Sequence, residues 1–273
     1  MSDPILEVRN ITKIFPARRG SAESDVVAVD DVSFALAPGG SVAVVGESGS
    51  GKSTLARILC GLETASSGEV CFEGAPRGHA SNGAARRRRA RQLQMVFQDP
   101  FSSLDPRQSG LACLEEVLAV HGGQRAEEGR RAAFSLGEQV GLGDRELRAT
   151  PRQLSGGQRQ RLAIARALAV DPAVLVLDEA ASALDVSVQA QFLNLLGELR
   201  SARGLSYVFV THDLAVVRQI SEQMIVMRRG RVVEAGATAD VLDEPREPYT
   251  KLLRESVPRR GWQPQRTIAS FNR

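Results

Sequence analysis

Gly46-Glu47-Ser48-Gly49-Ser50-Gly51-Lys52-Ser53-Thr54 has the Gly-x-x-x-x-Gly-Lys-Ser form of a phosphate-binding loop. In such a loop the glycines let backbone N–H groups curl around phosphate oxygens, and the following helix N-terminus adds positive potential. Lys52 is the residue to reach the β- and γ-phosphates of a nucleotide, and the Ser53 hydroxyl is the residue to ligate Mg²⁺. Asp178 and Glu179 end the apolar run Val174-Leu175-Val176-Leu177. Two adjacent acids at the end of a buried strand are costly unless used. Asp178 suits a Mg²⁺ shell, and Glu179 suits a general base acting on the attacking water. The bland alternative for that pair is a helix cap.

His212 and Gln98 also follow apolar runs. Singly each is an ordinary structural residue; their weight comes from the set. In an open α/β sheet, ligands bind outside the carboxyl ends of the strands. Lys52, Gln98, Asp178, Glu179 and His212 are therefore expected along one sheet edge. Ser155-Gly156-Gly157-Gln158 supplies a hydroxyl, two small residues and a helix start, which is a second anion site. One nucleotide does not need two such sites in one subunit. A head-to-tail pair of subunits would use both, each loop capping the nucleotide held by the other.

The elements that must position these groups follow from apolar spacing. Val42 to Val45 reads as a buried strand, and Leu55, Ile58, Leu59 and Leu62 read as one helix face after the loop. Ile5 to Arg9 reads as a short strand, with Ile11 to Phe15 following and Pro16 ending the pairing. Val32, Phe34 and Leu36 alternate as a half-buried strand, and Pro38-Gly39-Gly40 turns the chain into the loop strand. Ser66-Ser67-Gly68 reads as a turn before an alternating Val70 and Phe72. Leu93 to Phe97 is strand-like. Residues 101 to about 150 read as a helical insertion, with Leu111, Leu114, Val117 and Leu118 on one face and Phe134, Leu136 and Val140 on another. Leu162, Ala165 and Leu168 mark a helix stopped by Asp171-Pro172, and Phe192 to Leu199 mark another, closed near Gly204. Tyr207 to Val210, Met224 to Met227 and Arg231 to Glu234 complete the strands. Beyond Gly236 the chain reads as a polar tail with one short helix around Tyr249 to Arg254. Strands alternating with helices predict a largely parallel sheet with helices on both faces.

Composition sets outer bounds. At 273 residues, 42% hydrophobic and 25% charged, the chain can bury a sizeable core as one domain or a domain with a subdomain. A net charge of +3 is too mild to argue for nucleic acid and suits a protein docked near anionic lipid. The run Arg86-Arg87-Arg88-Arg89 with Arg91 has no interleaved aromatic to stack on bases, so a solvated helix face or loop is its plain reading. Ala17 to Asp25 reads as an exposed loop. Cys60, Cys71 and Cys113 form no metal or disulfide pattern, which leaves a reducing cytoplasm as the expectation. No secretory signal and no membrane-spanning apolar run is seen.

With these residues in view, the chain resembles the ATP-binding subunits of ABC transporters over nearly its whole length. Gly46 to Thr54 matches the Walker A motif, Leu154-Ser155-Gly156-Gly157-Gln158 the signature, and Val174 to Glu179 Walker B. Gln98 falls at the Q-loop, Ser182-Ala183-Leu184-Asp185 at the D-loop, His212 at the switch histidine, and Phe15 at the aromatic that stacks on adenine. Within the family it is most similar to the peptide/nickel importer ATPases, through Gln98 to Arg107, Leu184 to Gln191, Thr211 to Arg218 and Pro248 to Leu253. Ala180-Ala181 stands where that family usually has Pro-Thr, and Glu247 where it has His. The residues after Pro258 are few and lack cysteine, as in the shorter members.

The resemblance implies an ABC ATPase fold: a P-loop core, an N-terminal antiparallel β subdomain and an inserted helical subdomain. The implied divisions are 1–98, 99–165, 166–236 and a C-terminal extension at 237–273. Implied cofactors are ATP and Mg²⁺, the metal held by Ser53, Asp178 and Gln98. Glu179, His212, Gln98 and Lys52 would act in catalysis; Phe15, the loop Gly46 to Thr54, Ser155 to Gln158 and Asp185 would contact nucleotide. Implied partners are a second, similar ATPase subunit, two membrane permeases and, indirectly, an extracytoplasmic binding protein, at the cytoplasmic face of a bacterial inner membrane. No nucleic acid is expected. The competing reading is a soluble ABC ATPase of a nucleic-acid or carbon–phosphorus lyase-like complex.

Overall fold

The structure is a computed structural model describing residues 3–17, 24–78, 82–122, 126–182 and 184–255. The first half of the chain runs β1 (Leu6–Phe15), β2 (Val26–Leu36), β3 (Ser41–Val45), α1 (Lys52–Cys60), β4 (Ser67–Phe72) and β5 (Ala75–Pro76). There follow α2 (Gly83–Gln92), β6 (Leu93–Val96), α3 (Pro100–Ser103), α4 (Gly110–Gly122), α5 (Ala126–Gln139) and α6 (Asp144–Arg148). The second half runs α7 (Gly156–Leu168), β7 (Val174–Asp178), α8 (Val186–Arg203), β8 (Ser206–Thr211), α9 (Leu214–Ile220) and β9 (Gln223–Arg228). It closes with β10 (Arg231–Ala237), α10 (Thr238–Asp243) and α11 (Pro248–Glu255).

Two sheets organise these elements. An antiparallel sheet has the order β2-β1-β4-β5, and a six-stranded sheet has the order β10-β9-β3-β8-β7-β6. In the larger sheet β9, β3, β8, β7 and β6 pair in parallel; only the edge strand β10 runs antiparallel. Strands buried on both faces lose the apolar–polar alternation, and β3, β7 and β8 are buried at every position. Alternate residues face different layers. Val42, Val44, Val174, Val176, Val208 and Val210 pack toward α1 and the antiparallel sheet. Leu175, Leu177, Tyr207 and Phe209 pack toward the helical layer around α7 and α8, while Ala43 and Val45 pack toward α9 and α10. Leu55 and Leu59 of α1 are fully buried between the two sheets, each worth about 1.5–3 kcal/mol of transfer free energy.

The parallel register carries the functional consequence. Val45 lies opposite Thr211, Val210 opposite Asp178, and Val96 opposite Leu177. Hence the loop after β3, His212 after β8, Asp178-Glu179 at the end of β7 and Gln98 after β6 all leave the sheet at one edge.

Four expectations are corrected. β1 is continuous from Leu6 to Phe15, because register shifts against β2 let it pass Asn10, whose φ is +48°. α1 stops at Cys60: Gly61 takes a left-handed conformation and closes the helix, so Leu62 leaves the apolar face and is 59% exposed. Ser67 and Gly68 belong to β4, in which Cys71 and Phe72 are both buried. Residues 237–255 hold two helices rather than a polar tail, with Val241, Leu242 and Tyr249 buried in a shared cluster. The arginine run forms α2, none of whose residues is buried. The interior of the Ala17 to Asp25 loop and the residues after Glu255 lie outside the described residues.

Candidate functional site

The phosphate loop is shaped by what presses on it. Gly46, Gly49 and Gly51 have φ of +153°, +80° and +102°, conformations that side chains rarely adopt. A Cβ on Gly46 would stand 2.2 Å from the Met227 carbonyl oxygen, and one on Gly51 would stand 2.1 Å from that of Ala28. The Gly230 N–H donates to the Ser50 carbonyl at 3.0 Å. The loop is thus held against β2 and the β9–β10 turn.

Lys52, in the first turn of α1, is 4% exposed. Its Nζ donates to the carbonyls of Gly46 and Glu47, both at 2.8 Å. Burial pushes its ammonium below the ordinary lysine range, against the pull of Glu179, Asp178 and Glu47. A buried cation resting on two backbone carbonyls can move to an incoming polyphosphate without crossing water. Gly51 gives α1 no side-chain cap, so the first N–H groups of this helix have no side-chain acceptor from their own turn. The buried Ser50 hydroxyl has no hydrogen-bond partner among the described residues. These features fit a phosphate ligand.

Ser53 Oγ donates to Asp178 Oδ1 at 3.0 Å. Burial raises the Asp178 carboxyl above its usual value; the Ser53 hydrogen bond opposes this. The pair fits a hard cation through oxygen donors. Among the described residues no group of three or more His, Cys, Asp or Glu could hold a metal ion. Mg²⁺ commonly takes one or two oxygen ligands from protein and the rest from phosphate and water.

Glu179 does not cap a helix. It has φ +48°, and its N–H donates to the Val210 carbonyl at 2.8 Å, so the chain leaves β7 with this residue in a strained turn. The Ser182 N–H closes that turn on the Glu179 carbonyl at 3.1 Å, with Ala180 and Ala181 buried between. Thus the turn forms on two alanines, with no proline in it. Gln98 Nε2 donates to Glu179 Oε2 at 2.9 Å, and His212 Nδ1 stands 3.6 Å from Glu179 Oε1. The carboxylate is flanked on both oxygens by groups from two other strand ends. Gln98 is therefore bonded to Glu179 and not to the Ser53–Asp178 pair.

The remaining sites are more exposed. Ser155 caps α7: its Oγ accepts the Gln158 N–H at 3.2 Å, while Gln158 Oε1 accepts the Ser155 N–H at 2.9 Å. Asp185 caps α8 through the Val188 N–H at 3.0 Å and accepts the Ser187 hydroxyl at 2.8 Å. Phe15 ends β1 on the surface, with the Lys13 ammonium 4.8 Å from its ring centre. Two contacts of the loop have no signal in local sequence: the brace from Gly230, and the Tyr249 phenol oxygen, which accepts the Glu47 N–H at 3.1 Å. In the sequence Tyr249 opens a short helix within the Pro248 to Leu253 stretch, with nothing local that directs it to Glu47.

A phosphate loop opening a helix, acids at the end of the strand two places along the sheet and a mostly parallel sheet beside an antiparallel one define a phosphate-loop ATPase fold. The chain belongs to the ABC transporter family, whose model matches residues 29–182. It is 45% identical over 260 residues to the glutathione import ATP-binding protein GsiA of Pectobacterium atrosepticum, covering 94% of this chain and 42% of that protein. The chain thus spans less than half the length of that relative. It is 43% identical over 261 residues to the dipeptide transport ATP-binding protein DppF of Escherichia coli, covering 95% of this chain and 78% of that one. The post-hydrolysis dimer of the ATP-binding cassette MJ0796 bound to ADP and Pi superposes with a TM-score of 0.76 at 31% identity, over 85% of this chain and 98% of that one.

Proposed function

We propose that this chain binds and hydrolyses ATP to energise import of a peptide-like or nickel/metallophore-like solute. The observation that carries the reading is Glu179, held between Gln98 and His212 beside the Ser53–Asp178 pair. Similarity to glutathione import and dipeptide transport ATP-binding proteins supports the peptide-like cargo. Lys52 and the loop N–H groups would hold the β- and γ-phosphates. Ser53 and Asp178, with Gln98 as a third candidate, would hold Mg²⁺, whose charge offsets that of the phosphates. Glu179 would orient a water and take its proton, Gln98 fixing one carboxylate oxygen and His212 facing the other. Phe15 would pack against adenine.

The second half of the site is Ser155 to Gln158 at the start of α7, where Ser155 and Gly156 are exposed and Gly157 and Gln158 half-buried. In the proposed assembly it faces the nucleotide of a second ATPase subunit, with Asp185 near the same junction. Two permeases would dock on the helical layer, at the cytoplasmic face of a bacterial inner membrane, and a binding protein would deliver the solute. No helix among the described residues is long and apolar enough to cross a membrane, so the span would belong to those partners. For the domain division, we assign α3 to α6 and the start of α7 to the helical subdomain.

Phosphate release and nucleotide binding by Glu179→Gln test the reading. Hydrolysis falls by about a hundredfold or more, while ATP affinity stays within about twofold. His212→Ala also lowers turnover with binding retained. Wild-type hydrolysis by Glu179→Gln would remove Glu179 as the base; co-purification with nucleic acid and no permease would remove the importer.

A further inference from the structure

The phosphate loop is touched from far along the chain. Tyr249 lies in the first turn of α11, 202 residues from Glu47, and is 6% exposed. The Glu47 N–H that it accepts belongs to the same peptide unit as the Gly46 carbonyl. That unit is trans and planar, so its N–H and C=O point in opposite directions. At the carbonyl end sits Lys52 Nζ, at 2.8 Å. One rigid plane therefore joins the Tyr249 phenol to the resting place of the Lys52 ammonium.

The tyrosine is itself held in place. Its ring lies under the Arg228 guanidinium at 4.9 Å and packs in the cluster of Val45, Leu214, Val217, Val241 and Leu242. The Glu234 carboxylate accepts the N–H groups of Arg246 at 2.8 Å and Glu247 at 3.3 Å, pinning the turn that leads into α11. At the other end, Arg254 Nη1 donates to the Asp243 carbonyl at 2.9 Å, tying α11 to the end of α10. Nothing in this arrangement requires a phenol oxygen for packing; a phenyl ring would fill the same space.

We propose that Tyr249 is a positioning residue for nucleotide binding, orienting the Gly46–Glu47 peptide so that Lys52 rests where a polyphosphate can take it over. The proposal rests on the nucleotide reading of the loop. It makes the C-terminal helix a strut of the phosphate site.

Tyr249→Phe in the full chain keeps the ring, its packing and its contact with Arg228, and removes only the acceptor. Titration with a fluorescent ATP analogue is the measurement, because a Kd is not changed by a smaller folded fraction. The expected result is a Kd raised about three- to tenfold, the worth of one hydrogen bond. On a Lys52→Ala background the same change adds less than about twofold, because the group it positions is gone. An unchanged Kd in folded Tyr249→Phe overturns the proposal and leaves the nucleotide reading intact. Equal losses on both backgrounds also overturn it, since Tyr249 would then act independently of Lys52. A wild-type chain that binds no nucleotide overturns both readings.

Discussion

The helix after Gly51 begins with no side-chain cap, whereas the helix after Ser155 begins with a reciprocal one. The first follows a glycine-rich turn, the second starts on Gly156 and Gly157, and both offer a helix N-terminus to an anion. The first is braced by Ala28, Met227, Gly230 and Tyr249, its glycines pressed against backbone, its lysine buried. The second satisfies itself through Ser155 and Gln158 and stays exposed or half-buried. A ligand at the first fills bare N–H groups in a cradle already built. A ligand at the second must add to a cap that is already made, which suits a surface completed when another subunit brings the nucleotide. The comparison separates a site finished within the chain from one that the proposed dimer would finish.

Glycine substitutions break this contrast most severely. Gly51→Ala drives a Cβ into the Ala28 carbonyl at a φ of +102°; nucleotide binding is lost, and folding costs on the order of 2 kcal/mol or more. Gly156→Ala meets nothing within 4 Å and sits in a helix, so the melting temperature of the single chain holds or rises slightly. Calorimetry and nucleotide titration of the two variants check this. Equal damage from both would erase the distinction between braced and open turns.

Removing the cap sharpens it. Ser155→Ala takes the acceptor from the Gln158 N–H and costs about 1 kcal/mol, with a melting temperature lowered by about 2–4 °C. ATP affinity of the single chain is unchanged, because the phosphate loop uses none of these bonds. A parallel loss of affinity would show the two helix starts to be coupled within one subunit.

The smallest effect is at the start of α8. Hydrogen bonds from the Val188 N–H and the Ser187 hydroxyl hold the Asp185 carboxyl below its ordinary value. A depressed carboxyl stabilises the cap above the unfolded pKa and loses it as pH falls through the folded one. The Val188 amide is therefore protected at neutral pH, and its protection factor, taken against the intrinsic exchange rate at the same pH, falls once the pH drops below the ordinary aspartate value of 3.8. Asp185→Asn keeps an acceptor without titrating, so hydrogen exchange at Val188 in that variant shows no such step. The same step in both chains would assign it to another carboxylate.

Local patterns made much of this molecule legible. Gly46 to Thr54 could be placed between a strand and a helix because Val42 to Val45 and Leu55 to Leu59 carry their own periodicity. Asp178, Glu179, Gln98 and His212 could be placed on one edge because each follows an apolar run, and parallel strands align their carboxyl ends. Ser155 and Gln158 read correctly as a helix start, since a cap is a contact between residues three apart. The short helix α10 escaped because Thr238 to Asp243 is too brief to show a period, and its Val241 and Leu242 find their partners on α9 and β9. Phe15 reads as a strand end before Pro16, but Asn10 interrupts the apolar pattern and hides that the whole of Leu6 to Phe15 is one strand; pairing with β2 and β4 on both sides decides that.

What the amino-acid order determined by itself was therefore the set of chemical groups and the strand, turn or helix that carries each one. Only the tertiary structure decided which of them touch. The Gln98–Glu179–His212 arrangement joins three strand ends, and the Tyr249–Glu47 hydrogen bond joins residues 202 apart. Contacts at that range depend on how whole layers pack. Neighbouring residues set the local backbone, but the positions of distant side chains follow from the burial of Val45, Val226 and Leu242 in one shared core.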